Sequence, residues 1–124
     1  MGLGAETVAL KLGRNGCLVG RGSWRRQVPA FAVAALDSTG AGDSFAAGFL
    51  AARLWGLGWH GAAILGNALG SAATVHVGGA AATSRNQEVL ALLRDCRFQP
   101  GFEEHAEAVQ EAVGYVERLS MDTD

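Results

Sequence analysis

The chain contains the run Asp37-Ser38-Thr39-Gly40-Ala41-Gly42-Asp43, in which small residues connect two apolar segments. The first segment, residues 31–36, is short and typical of a β-strand. The second, from Ala41 to Trp55, lacks proline and is rich in Ala, Phe and Leu, a composition that favours a helix. Because glycine adopts backbone angles that other residues avoid, Gly40 and Gly42 allow a tight turn between the strand and the helix.

The start of this predicted helix is a candidate anion site. The first N–H groups of a helix lack intrahelical partners and carry the positive end of the helix dipole. Gly40, Ala41 and Gly42 have no bulk to exclude a phosphate from those groups. Asp43 would repel an anion unless it has a task of its own, such as accepting a proton from an attacking hydroxyl. The combination suggests phosphoryl transfer to an alcohol; in the alternative, Asp43 only complements the helix dipole.

The run Asp37 to Asp43, followed by Ala47-Gly48-Phe49-Leu50, closely resembles the C-terminal signature of the ribokinase-like (PfkB-type) carbohydrate kinases. The resemblance implies an α/β fold, namely the C-terminal portion of the ribokinase-like three-layer fold, with a partial sheet and flanking helices. It also implies ATP-dependent phosphoryl transfer to a hydroxyl of a sugar or related small molecule. In that reaction Asp43 is the catalytic base, and the amides of Gly40, Ala41 and Gly42 form the anion hole.

The same resemblance implies ATP, Mg²⁺ and a monovalent cation, K⁺, as cofactors. The nucleotide contacts that it implies are Lys11, Gly13, Gly16, Gly42 and Asn67. Many family members have Thr where this chain has Lys11. Asn67 has a second interpretation, in which its side chain faces solvent or bonds to a neighbouring backbone group.

The implied cation lies near the anion turn. Its ligands are the Asp37 carboxylate and backbone oxygens of Thr39, Ala73, His76 and Gly78. Such an ion would tune the anion hole electrostatically. In the alternative, Asp37 caps the turn with its own side chain, which is common for Asp before glycine.

The remaining patterns predict a hairpin, a third strand and three further helices. Apolar runs around Val8 and Leu18 flank the turn sequence Gly13-Arg14-Asn15-Gly16, and Trp24 to Val28 forms a short strand that Pro29 ends. Apolar positions at helical spacing predict helices from Trp59 to about His76, from Ser84 through Leu93, and after Gly101. The helix that begins at Ala41 is apolar or small on most of its circumference, so it is expected to be buried between layers.

Composition narrows the function classes. A net charge of −2 with scattered basic residues argues against a nucleic-acid partner. The most apolar run, residues 58–77, is interrupted by polar residues, and this argues against a membrane span. Cys17 and Cys96 are far apart and no secretory leader is recognisable, so reduced thiols and a cytoplasmic location are predicted. The three histidines lack the spacing of a zinc site and are expected to be ordinary surface or core residues.

Two regions are predicted: residues 1–98, the C-terminal nucleotide-binding part of a ribokinase-like kinase domain, and residues 99–124, an amphipathic helix and tail. Members of the family are much longer than these 124 residues. The sugar-binding region, the lid sheet and the Mg²⁺-associated segment of the family are not found in this sequence. The chain is therefore expected to be a fragment or truncated frame that forms a homo-oligomer or needs its N-terminal half. The alternative function is a non-catalytic nucleotide-binding or interaction module derived from such a kinase.

Overall fold

The structure is a computed structural model, and it describes residues 7–11, 16–21, 23–29, 31, 41–74, 85–96 and 102–122. Within these ranges, three strands form one sheet and four α-helices follow, with one turn of 3-10 helix before the last of them. The elements are β1 (Thr7–Lys11), β2 (Cys17–Arg21), β3 (Trp24–Val28), α1 (Ala41–Trp55), α2 (Trp59–Thr74), α3 (Arg85–Asp95), the 3-10 turn (Glu103–His105) and α4 (Ala106–Asp122). The strand predicted at residues 31–36 lies outside the described residues, apart from Phe31.

The three strands form an antiparallel meander in the order β1-β2-β3. Lys11 pairs with Cys17 across the first hairpin, and Gly16 precedes β2 with a φ of 86°, a backbone angle that favours glycine. Side chains alternate between the two faces of a strand, and Cys17, Val19 and Val28 are buried in the core. The predicted hairpin and third strand are confirmed.

Helix α1 ends in a turn that folds α2 back against it. Gly56 has a φ of 110°, and the N–H of Leu57 donates to the Ala52 carbonyl at 3.0 Å, the pattern of a glycine C-cap. The Gly58 carbonyl then accepts the first helical bond of α2, from Ala62. Such a short connection gives an antiparallel helix pair, so the first turns of α1 lie beside the last turns of α2.

Helix α2 is the centre of the helical part. Eight consecutive residues, 61–68, are buried on every side of the helix. Five of these residues are Ala or Gly, which lets neighbouring elements approach closely. Trp59 packs against Trp24 of β3 with ring centroids 4.9 Å apart, so the sheet and α2 share one core.

Helix α4 packs on α2 and α3. Its buried residues recur every three or four positions: Ala108, Val109, Ala112, Val113, Tyr115 and Val116. The Glu111 carboxylate accepts a hydrogen bond from the Gly58 N–H at 3.3 Å and lies beside Gly61, where an added Cβ would displace it. The Tyr115 ring meets Trp55 edge-on at 5.7 Å. The predicted amphipathic helix is therefore present and joined to the same core as α2.

One expectation about α1 is wrong for this chain. The helix is not buried all round, because Leu50 and Leu54 are 60% and 89% exposed. Ala46, Ala47 and Ala51 are exposed on the same part of the helix. Among the described elements α2 covers α1 most extensively, and one helix shields only one side of another. The remaining face of α1 is apolar and open to solvent.

Candidate functional site

The predicted anion turn leads into α1, which begins at Ala41 and carries Asp43 in its first turn. Gly42 and Asp43 are both exposed. A Cβ added at Gly42 would meet no atom within 4 Å among the described residues, so the space beside this turn is open. The first N–H groups of α1 have no carbonyl one turn earlier in the helix to accept from them. An anion can therefore approach the helix start, and a hydroxyl can approach the Asp43 carboxylate.

Several of the sequence-predicted site residues lie outside the described part of the chain. They are Gly13, Asp37, Thr39, Gly40, His76 and Gly78. For Lys11 and Ala41 the structure describes the backbone, at the end of β1 and the start of α1, and not the side chain. The roles of these residues stay predictions.

The antiparallel packing of α1 and α2 brings two predicted sites to one end of the helix pair. Phe45, near the start of α1, packs on Gly66 of α2, and Gly48 packs on Leu69. Ala73, a predicted backbone ligand of the cation, is buried in the last turn of α2 and so lies toward the same end as Asp43. The N-terminus of α1 attracts anions and the C-terminus of α2 attracts cations, so opposite dipole ends lie side by side.

Asn67 lies inside the protein, with 2% of its surface exposed. Its Nδ2 donates to the carbonyls of Val28 and Pro29, both at 3.2 Å. Among the described residues, Oδ1 has no hydrogen-bond partner. The side chain thus bonds to backbone of the sheet region, 38 and 39 residues away in sequence, and neither faces solvent nor bonds to a neighbouring backbone group. Oδ1 is the one polar atom of the amide left for a ligand. The nucleotide contact of Asn67 stays a prediction.

Gly16 is buried at the turn end of the β1-β2 hairpin, directly before β2. Its positive φ accounts for glycine at this position without any ligand. The contact of Gly16 with a nucleotide is therefore a prediction that the hairpin geometry does not require.

A histidine pair is present that sequence reasoning missed. His60 Nε2 and His105 Nδ1 lie 2.6 Å apart, and the rings meet edge-on. Burial lowers the pKa of His60 to about 4, with further lowering by His105 and Arg26. Burial likewise lowers the pKa of His105, opposed by Glu104. No spacing signal could reveal this pair, because its members are 45 residues apart in the chain.

The histidine pair lies away from the candidate anion site. His60 is in the first turn of α2, which is the end of the helix pair opposite to Asp43. A cavity of about 560 Å³ opens beside His60 and is lined also by Glu107 and Glu111 of α4. Within the described ranges, no three His, Cys, Asp or Glu residues are arranged to hold a metal ion. None of the described helices has the length and apolar character needed to cross a lipid bilayer.

A helix start with an open glycine can admit a phosphate, and the adjacent carboxylate can accept a proton. The family comparison is specific: a sequence model described as pfkB family carbohydrate kinase matches residues 2–87. That match covers most of the 124 residues, and the chain belongs to the pfkB family.

Two curated relatives illustrate the similarity. The chain is 48% identical over 66 residues to an inositol 3-kinase of Zea mays, a match that covers 53% of this chain and 17% of the relative. It is 34% identical over 90 residues to a ribokinase of Haemophilus influenzae, a match that covers 73% of this chain and 29% of the relative. The chain therefore spans less than a third of the length of either protein.

Solved structures confirm the ribokinase-like α/β fold in partial form. A ribokinase from Thermotoga maritima matches 75% of this chain and 31% of its own, with 33% identity and a TM-score of 0.68. A protein of E. coli assigned to ribokinase II, in complex with ATP and Mg²⁺, matches 73% and 30%, with 31% identity and a TM-score of 0.68. A double mutant of the Vibrio cholerae fructokinase, bound to fructose, ADP and potassium, matches 62% and 27%, with 32% identity and a TM-score of 0.57.

Proposed function

We propose that this chain supplies the catalytic base and the anion hole of an ATP-dependent kinase that phosphorylates a hydroxyl of a sugar or related small molecule. The observation that carries the proposal is the exposed Asp43 in the first turn of α1, beside the open space at Gly42. Membership of the pfkB family supports the reaction class. The described positions fit a phosphate at the helix start and a hydroxyl at the carboxylate.

The proposed reaction uses one carboxylate as the base and three backbone amides as the anion hole. The acceptor oxygen forms the new bond to the γ-phosphorus of ATP, and its proton passes to the Asp43 carboxylate. The bond between the γ-phosphorus and the bridging oxygen breaks, which releases ADP. The backbone amides of Gly40, Ala41 and Gly42 donate to the transferring phosphoryl group and stabilise its charge.

ATP, Mg²⁺ and K⁺ are the proposed cofactors. The E. coli neighbour was solved with ATP and Mg²⁺, and the fructokinase neighbour with ADP and potassium. Mg²⁺ bound to the nucleotide neutralises phosphate charge. The proposed K⁺ ligands are the five predicted from the sequence, of which Ala73 is described. Its place in the last turn of α2, where the helix dipole is negative, fits a cation.

The proposed division of the chain is a nucleotide-binding part, residues 1–98, and a C-terminal helix and tail, residues 99–124. The family match ends at residue 87, and α4 begins after it. Lys11, Gly13, Gly16, Gly42 and Asn67 are the proposed nucleotide contacts of the first part. The proposed acceptor is a sugar or nucleoside-like small molecule, since the neighbours include a ribokinase and a fructokinase.

A second candidate function is a non-catalytic nucleotide-binding or interaction module derived from such a kinase. One observation favours it. An apolar face of α1, with Leu54 at its centre, is open to solvent. In this alternative the anion site binds a nucleotide and no acceptor is phosphorylated.

The test of the proposed site is a calorimetric titration of the chain with ATP, Mg²⁺ and K⁺, repeated for Gly42→Leu. Leucine at this position meets no described atom within 4 Å of its Cβ and is a better helix former than glycine, so the fold should tolerate it. Its bulk should block the helix start and abolish nucleotide binding.

Gly114→Leu is the matched control. Gly114 is also an exposed helical glycine with nothing within 4 Å of an added Cβ, and it lies on α4. Equal binding by both variants and by the unmodified chain would place the nucleotide elsewhere. Turnover of a sugar separates the kinase from the non-catalytic module.

A further inference from the structure

The starting observation is the double hydrogen bond of Asn67. Both neighbours of its Nδ2, the carbonyls of Val28 and Pro29, accept hydrogen bonds and cannot donate them. The amide orientation is therefore fixed, because the flipped side chain would place Oδ1 against two carbonyl oxygens. Asn67 thus joins the middle of α2 to the end of β3.

Gly66, next to Asn67 on α2, contacts a second segment, the start of α1. A Cβ at Gly66 would lie 2.9 Å from the Phe45 ring and 3.0 Å from the Phe45 carbonyl, so α1 rests directly on the Gly66 backbone. Phe45 itself is buried, two residues after Asp43. Consecutive residues of one helical turn therefore contact both β3 and α1.

These two contacts flank the proposed catalytic turn. The chain leaves the Asn67 contact at Pro29 and reaches the Gly66 contact at Phe45, and Asp37 to Asp43 lie between them. We propose that Asn67 is a positioning residue for the phosphoryl-transfer site, which it serves by fixing the end of β3 on the same turn of α2 that supports α1. The inference rests on the proposed function, and it assigns to Asn67 a role other than contact with the nucleotide base.

The Oδ1 atom, which has no hydrogen-bond partner among the described residues, supports a role beyond stability. A buried acceptor without a partner is unfavourable, and an apolar residue would avoid that cost. A contact from Oδ1 to the base of ATP is the competing account. The two accounts make different predictions for a ligand that has no nucleobase.

The first test is hydrogen exchange of the chain without nucleotide. Asn67→Asp keeps the side-chain volume and sets a carboxylate against two carbonyl oxygens, which should open the contact with β3. Asn86→Asp is the control, because it makes the same chemical change on α3. We expect the amides of the described flanking residues 28, 31 and 45 to exchange at least tenfold faster in Asn67→Asp, because both hydrogen bonds from Nδ2 are lost, and to be unchanged in the control. Unchanged exchange at these residues in a folded Asn67 variant would overturn the proposal.

The second test compares the binding of ATP and of inorganic tripolyphosphate. A positioning role predicts that Asn67→Asp weakens both ligands by the same factor, since tripolyphosphate has no base. Weakening of ATP alone would overturn the positioning role and favour a base contact. If the unmodified chain binds neither ligand, the proposed function fails, and the exchange experiment still decides whether Asn67 fixes the flanks of this segment.

Two milder variants keep the proposal testable if Asn67→Asp does not fold. Asn67→Ser introduces no charge and keeps one donor, and Gly66→Ala disturbs the α1 contact while Asn67 is intact. Faster exchange at residues 45–48 in Gly66→Ala and at residues 28 and 31 in Asn67→Ser is the expected result. Protection equal to that of the unmodified chain in both variants would overturn the proposal.

Discussion

Asp43 is the residue on which the proposed chemistry depends most directly, because it alone receives the proton of the acceptor hydroxyl. In the catalytically active polypeptide, Asp43→Asn keeps the shape of the side chain and removes the base. We expect turnover to fall by about 10²- to 10⁴-fold, with nucleotide affinity near normal. Steady-state kinetics and a nucleotide titration measure the two quantities. Asp95→Asn, at the end of α3, is the control, and an unchanged turnover in Asp43→Asn would remove the assigned role.

The His60–His105 pair makes the stability of the chain depend on pH. The pKa of His60 is lowered to about 4 in the folded protein, mainly by burial, from an ordinary value of 6.5. A lowered histidine pKa means that the unfolded chain takes up a proton first, so stability is complete above pH 6.5 and falls as the pH falls toward 4. Protonation of both rings also removes the acceptor of their hydrogen bond, at a cost of about 1–3 kcal/mol.

Chemical denaturation between pH 7 and 5 should show this loss. Arg26 and Glu104 act electrostatically on His60, and Glu107 and Glu111 line the cavity beside it. His60→Gln removes the titrating ring and should flatten the pH dependence. A slope in His60→Gln equal to that of the unmodified chain would show that other groups cause it.

At the scale of secondary-structure elements, the C-terminus of α1 depends on one backbone angle. Gly56 has a φ of 110°, and an added Cβ would meet no atom within 4 Å, so the cost of a side chain there is conformational and not steric. Gly56→Ala should lower the free energy of unfolding by about 1–2 kcal/mol, the cost of a left-handed residue. Gly114→Ala, inside α4, should raise it by roughly 0.5–1 kcal/mol, since alanine is the better helix former. Equal effects of the two substitutions in denaturant melts would contradict this explanation.

The sequence predicted the bounds of elements well where residues close by in the chain begin or end them. Helix α1 was expected from Ala41 to Trp55 and has those bounds, because glycines lie on either side of an Ala- and Leu-rich segment. The hairpin was predicted from a glycine turn between apolar runs, and Gly16 does adopt a positive φ. Helix α2 was expected to reach about His76 and is described to Thr74.

Features that depend on contacts distant in sequence were not predictable. The bonds of Asn67 to Val28 and Pro29 span nearly forty residues, so helical spacing could identify a polar residue on a buried helix without identifying its partners. The histidine pair joins α2 to the turn before α4 for the same reason. The exposure of α1 depends on which elements cover it, so the apolar circumference of the helix predicted, wrongly for this chain, that it is buried between layers.

At the scale of the whole molecule, α2 is the element around which the others are arranged. It contacts the sheet through Trp59 and Asn67, α1 through Gly66, and α4 through Gly61. The segment that follows the family match therefore shares a core with the matched part, since α4 is packed on α2 and α3. What this core does not cover is the outer face of α1, and that face begins one turn from Asp43.

The outer face of α1 should make the isolated chain self-associate. Leu54 and Leu50 are 89% and 60% exposed on one stripe of the helix, with Ala46, Ala47 and Ala51 beside them. Contiguous apolar surface of this kind favours association, and a second copy of the chain is the partner available in a purified sample. We expect the sedimentation coefficient and the midpoint of thermal unfolding to rise with protein concentration.

Substitution of the stripe tests whether α1 is the surface responsible. Leu54→Lys combined with Leu50→Lys places two like charges on the face and should shift the chain to a monomer at concentrations where the unmodified chain associates. Leu10→Lys is the matched control, because Leu10 is 55% exposed on β1 and its replacement leaves α1 unchanged. A monomer with a sharp, concentration-independent thermal transition in the unmodified chain would contradict the prediction, since it would mean that the exposed face of α1 is stable in water by itself.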